Sequence, residues 1–94
     1  MVKWSAAARR DLKEIHAYIA RDSRYYAKKV VEAIVDKSCE IEPFSERGRA
    51  VLELEEQSIR ELLVYSYRLI YEIADEDIIV LAVIHGRRKL PEMG

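Results

Sequence analysis

The chain has 94 residues, near-balanced charge at −1, 50% hydrophobic and 35% charged side chains. That length fits one domain spanning 1–94, and the composition is globular rather than disordered. A single cysteine, Cys39, excludes an internal disulfide framework, and no Cys/His cluster with metal-ligand spacing exists, so no metal or cofactor is expected.

The longest apolar run, Ile78 to Ile84, is too short to cross a bilayer, and no membrane partner is expected. Met1-Val2-Lys3-Trp4 leads straight into a charged segment, unlike a secretory signal, which points to the cytoplasm. Near-neutral charge also argues against a surface built throughout to hold nucleic acid. Acids concentrate at Glu53, Glu55, Glu56, Glu61 and from Glu72 to Asp77, and bases cluster at Arg87, Arg88 and Lys89. On charge alone, that basic end reads first as a solvated terminus.

Residues 1–4 read as a short extended start. Ser5 is placed to cap a helix over 5–20, whose apolar residues Ala8, Leu12, Ile15 and Ile19 recur at helical spacing. Asp22 or Ser23 caps a second helix with the stripe Ala27, Val30, Val31, Ile34, Ser38 and Ile41. Pro43 disfavours the helical conformation at Glu42 and ends that helix. The short link between the helices predicts an antiparallel hairpin. Arg47-Gly48-Arg49 reads as a turn, and Ala50 to Leu54 as a short irregular strand.

The period then changes from helix to strand. Ile59 to Val64 is rich in β-formers, Tyr65-Ser66 is a tight connection, and Tyr67, Leu69, Tyr71 and Ile73 alternate along a second strand. Asp75-Glu76-Asp77 forms another turn. The apolar run that follows reads as a strand covered on both faces or central in its sheet, and Gly86 ends it. The order β-α-α-β-β-β predicts a two-layer α+β domain, with a helical hairpin on one face of a small, mainly antiparallel sheet. One helical layer leaves the opposite face to the residues that alternate against the core, Arg68 among them.

No phosphate loop or zinc, thiol or serine-hydrolase motif is present. Arg68 sits mid-strand, where a rigid backbone aims a guanidinium at a phosphate or carboxylate. Spacing alone favours a simpler role, an ion pair with Glu61 or Glu72 across the hairpin. His85-Gly86-Arg87-Arg88 follows the apolar strand, at a position well suited to function, although a backbone-bonded His with two solvated Arg is the simpler reading. His16 reads as a helix-flank residue. Most of the six tyrosines read as core residues with a hydroxyl at the boundary, Tyr65 or Tyr67 being able to stack on a base, and Cys39 reads as a small buried hydrophobe.

Taken in order, Trp4-Ser5 through Asp22-Ser23, Ile59-Arg60-Glu61-Leu62, Tyr67-Arg68-Leu69-Ile70-Tyr71 and His85-Gly86-Arg87-Arg88 resemble the RelE/ParE toxin family of type II toxin–antitoxin modules, over roughly residues 2–90. The resemblance implies a helical hairpin on a small antiparallel sheet and a cognate antitoxin partner. RelE-like members cut mRNA in the ribosome, and those studied on the ParE side act on DNA gyrase. If the chain is RelE-like, the resemblance makes Arg68, Arg88 and His85 catalytic, with ribosome and mRNA as partners. Ile59 and Glu61 stand where RelE carries lysines, and the RelE C-terminal tyrosine has no counterpart. A carboxylate there repels a scissile phosphate. Tyr18 to Ser23 and the His85-Gly86-Arg87-Arg88 ending look more like ParE. On that side the resemblance implies a non-enzymatic inhibitor of growth, of the plasmid-stabilising kind, that binds gyrase through Arg68, His85, Arg87 and Arg88. A non-toxic family member kept as an interaction module is the third reading.

Overall fold

The computed structural model describes residues 1–42, 48–51, 54 and 57–86. In chain order the elements are β1 (Val2–Trp4), α1 (Ala6–Ala20), α2 (Arg24–Ile41), β2 (Arg49–Ala50), β3 (Ile59–Val64), β4 (Tyr67–Ala74) and β5 (Asp77–His85). The five strands form one sheet in the order β1-β5-β4-β3-β2. Only the β1–β5 pairing is parallel. The expected architecture is therefore present, with a two-residue strand added where an irregular one was predicted.

Local chemistry sets the helix starts. Ser5 Oγ accepts from the Ala8 amide at 3.0 Å, and Ser23 Oγ accepts from the Tyr26 amide at 3.1 Å, each satisfying an N–H that the first turn leaves open. Only three residues separate the helices, so they fold back on each other. Their stripes meet the sheet: Ala8, Ile15, Val30, Ile34 and Ile41 pack with Leu69, Tyr71, Ile78, Val80 and Val83, and Leu12, Ile19 and Tyr67 join from the margin. Fully burying a side chain such as Ile34 stabilises the fold by roughly 1.5–3 kcal/mol.

β5 lies between β1 and β4 and is covered on both faces, as its unbroken apolar run implied. Its register with β4 slips beside Ile70 and Tyr71, which partner Ala82 and Val80. Leu81 is the extra residue, and this bulge turns Leu81 and Ala82 to the same side of the sheet. The start of the chain satisfies the disturbed backbone. Ser5 N–H donates to Val80 O, Ser5 Oγ donates to Leu81 O at 3.2 Å, and the Val83 amide donates to Asp11 Oδ2 at 3.0 Å. The cap of α1 and the bulge of β5 thus form one joint.

Both hairpin turns are two residues long and open with a left-handed residue, Tyr65 (φ 54°) and Asp75 (φ 55°). Asp77 belongs to β5 rather than to the predicted turn. At the start of β2, Gly48 N–H donates to Tyr71 Oη at 2.9 Å, and a Cβ on Gly48 would stand 2.4 Å from that oxygen. Glycine is needed there for close approach. Of the predicted turn Arg47-Gly48-Arg49, Arg49 belongs instead to β2, while Arg47 and the break at Pro43 lie outside the described residues.

The tyrosine expectation fails. Tyr18, Tyr25, Tyr26 and Tyr65 are each more than 60% exposed, and only Tyr71 is fully buried. Cys39 is also exposed, because its neighbour Ser38 takes the inward position on α2. Ser38 manages burial by donating to the Val35 carbonyl one turn earlier. His16 is exposed on α1, as a flank residue should be.

Candidate functional site

On β4, Leu69 and Tyr71 face the helices, and Arg68 and Ile70 face away. That second face was expected to be open, but it carries its own small core. Val51, Ile59 and Ile70 are buried together, flanked by Leu54, Leu81, Ala82 and Ile84.

Beside this cluster lies a buried ion pair. Glu61 projects from β3, where Ile70 is its backbone partner, and Leu63 partners Arg68 two pairs further on, on the same face. The two charged side chains therefore meet diagonally across the hairpin. Arg68 Nε donates to Glu61 Oε2, and Arg49 Nε, from β2, donates to Glu61 Oε1 at 3.1 Å. Glu61 is 2% exposed and Arg68 6%. The expectation of Arg68 as a surface cation is corrected: its guanidinium is under the surface and its charge is matched by Glu61. Of the two ion-pair partners that spacing allowed, Glu61 is the one used, with Arg49 as a third member.

His85 ends β5 and is exposed. It pairs through the backbone with Tyr67, one step from the Arg68–Ile84 pair. The side chains diverge nonetheless. The His85 ring stands edge-on to Tyr67, with centroids 5.7 Å apart and planes at 76°, whereas Arg68 turns to the opposite face. Arg68 and His85 therefore do not form one continuous cationic patch. Arg87 and Arg88 lie outside the described residues.

His85 borders two clefts. The first, about 370 Å³, lies between α1 and the end of the β4–β5 hairpin, lined by Asp11, Glu14, Ile15, Tyr18, Tyr67 and Val83 with Ile84 and His85. Burial first, and then the Tyr18 hydroxyl, raise the Tyr67 hydroxyl above its usual range, so Tyr67 stays protonated at neutral pH. The second cleft, about 420 Å³, is lined by Arg49, Leu63, Tyr65, Ser66, His85 and Gly86. Arg49 is the cation that sequence reading missed. Its Nε is held by Glu61, its side chain is 62% exposed, and it lines this cleft. The signal was weak, since Arg49 sits in a polar stretch with no period to place it.

Among the described residues no group of His, Cys, Asp and Glu is arranged to hold a metal, and no helix is long and apolar enough to cross a membrane.

Solved structures share this fold, among them the three that follow. The ParDE toxin–antitoxin system from Pseudomonas aeruginosa gives a TM-score of 0.73 at 22% identity, over 89% of this chain and 92% of that one. The RelBE2 complex from Mycobacterium tuberculosis gives 0.64 at 24% identity, over 90% and 95%. The YoeB dimer from Staphylococcus aureus gives 0.63 at 19% identity, over 89% and 93%. No curated protein sequence matches significantly. A family model for the ParE toxin of type II toxin–antitoxin systems matches residues 2–90, nearly the whole chain, and the chain belongs to that family.

Proposed function

We propose that this toxin acts in the cytoplasm by binding DNA gyrase through a protein surface, and that a cognate antitoxin neutralises it. The surface is the end of the sheet where β5 stops: His85, with Arg87 and Arg88 following it in the chain and Arg49 across the second cleft. Arg68 serves beneath that surface, holding Glu61 so that Glu61 in turn steadies Arg49.

The observation that carries a binding rather than a cleaving role is the Glu61 clasp. A site that cuts RNA through its 2′-hydroxyl needs cations free to meet the charge growing on the phosphate. Here the strand arginine is nine-tenths buried and already bonded to a carboxylate. A phosphate approaching it would meet the Glu61 charge as well. The family match supports the toxin role, and the described match to a ParDE system supports an antitoxin partner.

Purified toxin tested against gyrase and against programmed ribosomes decides the matter. Inhibited supercoiling with intact mRNA is the expected result. Site-specific mRNA cleavage that disappears in Arg68→Ala would replace this reading with the RelE-like endoribonuclease. Induced expression without any effect on growth would point to a non-toxic interaction module.

A further inference from the structure

The first cleft, between α1 and β5, has a chemistry opposite to that of the basic end beside it. Its floor is apolar, from Ile15, Val83 and Ile84. Two carboxylates stand on its α1 wall, Asp11 and Glu14, one turn apart on the same helix face. Asp11 spends one oxygen on the Val83 amide and is held rigidly by it. Glu14 is exposed on that wall, with Arg10 and Lys13 close to it in sequence. Two tyrosine rings, Tyr18 and Tyr67, and the His85 ring complete the lining.

An apolar floor, negative charge on one wall and aromatic rings suit one class of guest: a cation on an aliphatic stem. The stem lies on Ile15 and Ile84, the charged head meets the carboxylates, and an aromatic face adds cation–π attraction. We propose that this cleft receives an arginine or lysine side chain of the cognate antitoxin, an inference that rests on the toxin reading above. The choice of the antitoxin as occupant follows from His85. That residue lines both clefts, so a segment anchored in the first lies across the rim of the second and covers the surface assigned to the target. The site thereby links neutralisation to a single anchoring contact.

The chemistry of the cleft is tested with N-acetyl-arginine methylamide, following the ring resonances of Tyr18, Tyr67 and His85 by NMR. The arginine amide is expected to shift all three, and N-acetyl-glutamate methylamide none. Glu14→Gln is expected to weaken binding about tenfold, and Tyr18→Ala by a factor of roughly five. Both side chains are exposed, so both variants keep the fold. Unmoved rings, equal response to the glutamate amide, or undiminished binding by Glu14→Gln would overturn the proposal. Binding that emerges only after Arg87, Arg88 and Lys89 are all replaced would give the cleft to the chain's own cations and also overturn it. The occupant is tested by co-expressing each variant with the protein encoded in the neighbouring reading frame. Glu14→Gln and Tyr18→Ala toxins should escape neutralisation and arrest growth; full neutralisation of both would overturn the antitoxin assignment. A wild-type toxin that leaves growth unaffected would instead sink the toxin reading, while the arginine-amide shifts would still stand.

Discussion

The two faces of the sheet solve burial by different physics. Toward the helices, β4 and β5 offer Leu69, Tyr71, Val80 and Val83 to two apolar stripes, and the stabilisation comes from removing hydrocarbon from water. On the other face a smaller apolar cluster sits beside Glu61, Arg68 and Arg49, and the burial there depends on matched charge. Apolar packing loses stability in proportion to what is removed. A buried ion pair behaves differently: losing one partner strands the other, and replacing both can cost little. A member of that buried ion pair therefore looks functional whenever it is changed alone, even if it never touches a partner protein.

That contrast can be broken or sharpened by substitution. The largest effect is expected for Arg68→Ala, which leaves the Glu61 carboxylate 2% exposed with only Arg49 beside it. A loss of about 3–4 kcal/mol in denaturant unfolding is expected, near the lower part of the range for broken buried pairs because Arg49 remains. The Glu61→Leu/Arg68→Met double variant should recover most of that loss. A double variant as unstable as the single one would show that the pair itself stabilises the face.

Ile34→Ala tests the helical face. Ile34 is fully buried in α2, and the truncation should cost about 2–3 kcal/mol with no partner able to restore it. Leu63→Ala, on the other face and half exposed, should change stability by less than about 0.5 kcal/mol. A large loss at Leu63 would mean that the second face is more hydrophobic in its energetics than its charges suggest.

Between Ile34 and Leu63 in size is Asp11→Ala, which removes the acceptor of the Val83 amide at the β5 bulge. About 1–2 kcal/mol is expected, the cost of a part-buried N–H left to find water. Asp11→Asn, which keeps a side-chain oxygen, should recover much of it.

The smallest effect is alkaline. Tyr71 and Tyr67 both hold their protons above the usual tyrosine range, in each case mainly through burial. In the unfolded chain they ionise near pH 10, while the folded chain still binds those protons. Unfolded chains then bind fewer protons than folded ones, so stability should fall as pH rises above about 10 and be unaffected by these groups below it. Tyr71→Phe should flatten part of that slope, measured as midpoint against pH. A slope unchanged by the substitution would place the alkaline loss elsewhere.

Much of the helical face was legible before any coordinates. Ser5 and Ser23 are caps whose hydroxyls act on amides three residues away, and the stripes from Ala8 to Ile19 and from Ala27 to Ile41 are local patterns. The run from Ile78 to Ile84 announced a strand covered twice. What stayed hidden depended on register and on distant chain segments. The bulge at Leu81 and the reach of Asp11 to Val83 arise only once α1 lies against β5. Glu61 was a named partner for Arg68, but its second partner, Arg49, reaches it from β2, a distant segment of the chain. The tyrosines misled because a large aromatic ring is apolar enough for a core and polar enough for a rim, and the sequence alone does not separate the two. The candidate site was legible at His85, whereas Asp11, Glu14, Tyr18 and Arg49 join it only through the fold.

The most direct test of a buried Arg68 that acts only by holding Glu61 is gyrase supercoiling in the presence of Glu61→Leu/Arg68→Met toxin, set beside His85→Ala, with both proteins confirmed as folded by their unfolding midpoints. Inhibition is expected to survive in the double variant and to weaken in His85→Ala. A folded double variant that no longer inhibits, with His85→Ala fully active, would put the working surface on the arginine of β4 and contradict the role given to it here.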